Sequence, residues 1–149
     1  MRHFALAGLI ALALIVTACG NTANSTNGSI NGNWTATLLD TNNKPTFGFT
    51  TSLSETGSNG LVVANFNFTT SNSCFGTGST ESGGFTLGGN FNGNVTGTFT
   101  MTIQSPKTSG SNTLVLQGSV NNNTVSGTWV LTGTGSGCTG SGNFTMVKG

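Results

Sequence analysis

Charge is what this chain has least of. Four Lys and Arg and three Asp and Glu serve 149 residues, Tyr is absent, and the single His is His3. Nucleic-acid binding needs a cluster of cations to neutralise phosphates, and no such cluster exists, so no nucleic-acid partner is expected. General acid–base chemistry relies on a positioned His or a carboxylate of shifted pKa. Beyond residue 18 the carboxylates are Asp40, Glu55 and Glu81, each expected in or beside a turn or loop, and no spacing pairs two of them. Hydroxyls are plentiful, yet none sits in a Gly-x-Ser-x-Gly elbow and no Ser-x-x-Lys occurs. Without a later His or a Cys-x-x-Cys, no metal site is expected either. The inventory points to a protein that is not an enzyme and carries no cofactor. Helical spacing of apolar residues is also missing beyond the first eighteen residues, and no apolar run reaches the roughly 20 residues of a spanning helix.

The longest apolar run stands at the start. Arg2 precedes Phe4 to Val16, and the run stops at Val16-Thr17-Ala18-Cys19-Gly20. A basic beginning, a short apolar stretch and a small residue make a secretory leader. Val16-Thr17-Ala18-Cys19 resembles the lipobox of bacterial lipoproteins. That resemblance implies that the Cys19 thiol is joined to diacylglycerol, that residues 1–18 are removed, and that Cys19 becomes the first residue. It implies a protein held in the cell envelope by lipid. Gly20 stands where Asp would resemble an inner-membrane retention signal, which favours the outer membrane if the source has two. Residues 19–29 then read as the lipidated Cys and a polar tether reaching about 20 Å.

Residues 30–149 form one domain, long enough to bury a single core. Its recurring Phe, Val and Leu distinguish it from a disordered chain. Cys74 and Cys138 remain after lipidation, and two leftover thiols in an oxidising compartment pair. Closing so long a loop is worth roughly 4 kcal/mol in the chain-entropy picture. Short alternating runs between turn residues predict eight strands, near 31–40, 46–54, 61–69, 84–91, 94–104, 113–120, 124–132 and 142–148. Val95, Gly97, Phe99, Met101 and Ile103 share one face, and Thr96, Thr98, Thr100 and Thr102 the other. Asn59-Gly60, Asn92-Gly93 and Asn121-Asn122-Asn123 supply residues that tolerate positive φ at hairpin positions. A unit of hairpin turn and Gly-polar-aromatic recurs as Gly97-Thr98-Phe99, Gly127-Thr128-Trp129 and Gly142-Asn143-Phe144.

An all-β, eight-stranded antiparallel meander that removes its own edges by closing into a small barrel is the simplest arrangement of these units. An outer-membrane barrel would turn its aromatic face to lipid and carry aromatic girdles and a polar interior. Lacking Tyr and nearly all charge, this chain is expected to do the reverse. Trp34, Phe47, Phe49, Phe66, Phe68, Phe85, Phe99, Trp129 and Phe144 then point inward, with Thr and Asn outside. Gly32-Asn33-Trp34 resembles the Gly-x-Trp that opens the first strand of lipocalin and avidin barrels; in any small barrel such a Trp plugs one end of the core. The expected function is that of a non-enzymatic, lipid-anchored envelope protein displaying a β domain for structural or adhesive contact, with an envelope polysaccharide or protein as partner. The alternative implied by the calycin resemblance is lipocalin-like binding of a small apolar ligand, with Trp34, Phe66, Phe99 and Trp129 as candidate lining or core aromatics.

Overall fold

A sheet with one apolar face must cover that face or roll up around it, and this chain rolls up. The structure, a computed structural model, describes residues 30–56, 59–75, 79–91, 94–105 and 111–149. Residues 1–29, with the leader, Cys19 and the tether, lie outside the described residues, as do Asn92-Gly93 and the side chain of Phe85. Eight strands follow one another: β1 (Gly32–Asp40), β2 (Pro45–Thr56), β3 (Gly60–Phe68), β4 (Thr80–Phe91), β5 (Asn94–Gln104), β6 (Thr113–Asn121), β7 (Thr124–Thr132) and β8 (Gly140–Lys148). Each pairs antiparallel with its neighbour in sequence, and β1 pairs with β8 from Trp34–Lys148 to Asp40–Gly142, closing the barrel.

The strand ends correct the sequence reading in two places that matter. β2 continues through Glu55 to Thr56 and β4 begins at Thr80, so Glu55 and Glu81 lie just inside strand ends, beside the connections that follow or precede them. Pairing overrides local propensity there: β5 runs to Gln104, and Thr80 and Glu81 pair with Gln104 and Ile103.

Side chains fill the barrel. Trp34, Phe49, Leu38, Leu53, Phe99, Met101, Ile103, Leu114, Leu116, Trp129 and Met146 are buried on its inner face. Each such side chain contributes about 1.5–3 kcal/mol relative to exposure. The outer wall carries rows of hydroxyls instead, such as Thr98, Ser119, Ser126, Thr145 and Thr37 on successive neighbouring strands.

The repeated Gly-polar-aromatic unit has a packing explanation. Glycine and aromatic both face inward, and each aromatic lies beside a glycine of the next strand: Phe99 opposite Gly118, Gly127 opposite Phe144, Trp129 opposite Gly142. A Cβ on Gly127 would overlap the carbonyl oxygen of Gln117. The Gly118–Gly127 pair thus leaves the space in which the rings of Phe99 and Phe144 approach to 6.2 Å.

The two ends differ. The hairpins between β2 and β3, β4 and β5, and β6 and β7 are short, and the chain enters at this end through Ile30. Asn59 and Asn122 adopt φ of 69° and 53°, the conformation their place in these turns requires. Trp34 plugs this end: it is buried and its Nε1 donates to the Ile30 carbonyl at 2.7 Å. Glu55 accepts from the Ile30 N–H at 3.3 Å. The opposite end carries the longer connections 69–79, 105–112 and 133–139. The Cys74–Cys138 disulfide joins the first and last of these, with Cα atoms 5.5 Å apart, across a sequence separation of 64. The two expected partners do meet at one end of the barrel. Asn112, from the middle connection, donates its Nδ2 to the Cys74 carbonyl at 2.7 Å.

Candidate functional site

One junction of the barrel is barely made. β3 and β4 pair only at Gly60–Gly84 and Leu61–Gly83, and among the described residues β4 pairs with nothing further along β3. Beyond this pairing only Thr80, Glu81 and Ser82 of β4 remain on that side, while β3 runs on toward the loop end to Phe68. A cleft of about 530 Å³ opens there, lined by Val63, Ala64, Asn65, Phe66, Asn67 and Phe68, by Phe75 from the 69–79 connection, and by Ser79 and Glu81.

A β-bulge aims this wall. Asn67 pairs with Thr50 and Ala64 with Ser52, so Asn65 and Phe66 together oppose Thr51. Asn65 absorbs the extra residue at φ 51°. The Thr51 hydroxyl, buried at the bulge, donates to the Ala64 carbonyl at 3.0 Å. The consequence is a change of phase. Leu61 and Val63 face inward before the bulge, and Phe66 and Phe68 after it, while Val62 faces solvent at 48% exposure.

The aromatics form a continuous path from core to cleft. Trp129 meets Phe47 edge-on at 5.8 Å, Phe47 lies 6.4 Å from Phe68, and Phe68 stacks on Phe75 at 5.3 Å. Phe66 meets Phe49 and Phe68, each at 4.9 Å. Trp129 is fixed by its Nε1 donating to the Leu39 carbonyl at 2.8 Å. Among the residues singled out from sequence, Trp34, Phe99 and Trp129 are therefore buried core residues. Phe66, also expected inside, is half-buried at the seam, because its strand leaves β4 after Leu61 and uncovers it.

Polar groups sit around this apolar floor. Glu81 lies on the inner-face row of β4, opposite Ile103, and accepts from the Ser79 hydroxyl at 2.8 Å. Asn72 accepts from the Phe75 N–H at 2.9 Å and so shapes the connection that carries the third phenylalanine. The disulfide neighbouring Phe75 ties that connection to the far side of the barrel. Sequence reasoning missed Phe75, Asn72 and the placement of Glu81. The signal for the bulge was present, in the switch of apolar residues from positions 61 and 63 to 66 and 68.

The three carboxylates are not brought together. Asp40 ends β1 beside the β1–β2 turn at the loop end, Glu55 lies at the opposite end, and Glu81 in the cleft. Backbone amides hold Asp40: the N–H groups of Lys44 and Asn42 donate to its Oδ1 at 2.9 and 2.8 Å, and the Lys44 bond is the main reason its pKa lies below the ordinary carboxylate value. Among the described residues no group of three His, Cys, Asp or Glu could hold a metal ion. Set against protein-family models, curated proteins and solved structures, the chain matches none.

Proposed function

We propose that this chain is a non-enzymatic protein of a bacterial cell envelope, anchored by lipid on Cys19, whose barrel presents the seam cleft for contact with an envelope polymer. The observation that carries the contact reading is the cleft itself, an apolar floor rimmed by amides, hydroxyls and one carboxylate beside a filled core. Its position supports the reading. A tether ending at residue 29 would join the short-turn end at Ile30, so the loop end and its cleft would point away from the membrane. Carriage of an apolar ligand along the barrel axis draws less support, because large side chains occupy that axis.

Mass spectrometry of the protein extracted from membranes tests the anchor. An acylated Cys19 at the N-terminus is expected, with Cys19→Ser accumulating as unprocessed precursor because Ser lacks the thiol. A soluble form beginning elsewhere, with Cys19 unmodified, would overturn the proposal.

A further inference from the structure

We infer that the seam takes an extended polypeptide strand, which adds to the β3 edge between β3 and β4. The inference names the partner class for the contact site proposed above and rests on that reading only for the cleft's role. Six of the cleft's lining residues, Val63 to Phe68, are consecutive in one strand. Consecutive side chains of a strand point to opposite faces, so a cleft touching all six runs along the backbone edge, not over a face. An edge offers a row of N–H and C=O groups, and these are matched best by another extended backbone. A glycan could reach rim side chains such as Asn65, Asn67, Ser79 and Glu81, but it would leave the backbone groups along the β3 edge unmatched.

The walls set the sequence such a strand would need. Phe66, Phe68 and Phe75 form an apolar floor, so alternate residues entering from the seam would be apolar. Among the described residues Glu81 is the one charged residue lining the cleft, and it complements a Lys or Arg at the strand's end. The β3–β4 pairing stops at Leu61–Gly83, so the stretch Val62–Phe68 beyond it sets the usable length, at most about 23 Å at the rise of a strand, with the bulge at Asn65 in its middle.

The test uses the processed full-length protein and a phage-displayed library of random heptapeptides. Enriched sequences should alternate apolar with other residues and carry Lys or Arg. A synthetic consensus peptide should slow hydrogen exchange at the backbone amides of residues 62–68. Methylating alternate amide nitrogens of that peptide should weaken it roughly tenfold or more, since methylation removes edge donors. Glu81→Gln should weaken only peptides that carry the cation. No enrichment over background, or a consensus peptide that protects amides elsewhere, overturns the inference. So does a β-1,4-linked amino-sugar oligosaccharide that protects residues 62–68 where no peptide does. Peptide binding with an unmodified Cys19 would leave this inference standing while the anchor fails.

Discussion

The β6–β7 and β3–β4 junctions belong to one barrel and are built in opposite ways. β6 and β7 pair without interruption from Thr113–Thr132 to Asn121–Thr124, with two glycines opposed so that aromatics can fill the space inside. β3 and β4 pair at two positions and part, leaving phenylalanines half-covered. A closed barrel does not need every junction complete. Strong pairing around the remaining circumference, the filled axis and a disulfide across the loop end hold the shape. That leaves one edge available for a task other than stability. The two junctions also differ in charge: Glu81 lines the open one, whereas the tight one shows hydroxyls, the amides of Gln117 and Asn121 and the exposed Val130 to solvent, with no carboxylate.

The largest effect should separate the two junctions directly. Trp129→Ala removes a buried ring and its hydrogen bond to Leu39, and should cost about 3–5 kcal/mol in urea unfolding. Phe66→Ala, at a half-buried ring, should cost about 1–2 kcal/mol. Equal costs would show that the seam is packed as firmly as the wall, and the contrast would collapse.

Removing the disulfide sharpens the same comparison at one end of the molecule. Replacing Cys74 and Cys138 together by Ala should lower stability by about 2–4 kcal/mol. Hydrogen exchange should then accelerate at residues 72–75 and 112, where the connections depend on each other, and stay slow through β6 and β7. Uniform acceleration would mean that the bridge supports the whole barrel rather than the loop end.

The smallest effect concerns pH and one turn at the loop end. Asp40 has a folded pKa below its ordinary 3.8, held down first by the Lys44 amide and further by Asn42. A group that binds protons less tightly when folded contributes fully above its unfolded pKa and loses that contribution as pH falls through the folded value. The amide resonances of Asn42 and Lys44 should therefore titrate with a midpoint below 3.8 while the seam residues stay unmoved. A midpoint at or above 3.8 would contradict the turn's hydrogen bonding.

Much of the architecture could be read in advance because period-two alternation and Asn-Gly-type turns are local signals. Val95 to Ile103 declared its two faces, Asn59 and Asn122 declared their turns, and an even number of successive antiparallel strands made closure the economical answer. The cleft could not be read the same way. Its floor joins Phe66 and Phe68 of β3 to Phe75 of a connection that looks featureless in sequence, and Glu81 looked like a loop residue beside Ser82-Gly83-Gly84. Gly83 lies inside a strand because it pairs with Met101, a partner eighteen positions away.

By itself the sequence determined the alternation, the turn positions and hence an all-β meander with its Phe, Leu and Trp on one side. Those features depend on neighbours one to four residues apart, where sterics and side-chain hydrogen bonds act at once. Only the tertiary structure decided which junction stays open and which phenylalanines are left half-covered. Those outcomes turn on shear and packing summed around the whole barrel, where the bulge at Asn65 shifts β3 by one residue relative to β2. A shift of one residue reverses the face of every side chain beyond it, and no window of sequence contains the strand against which it is measured.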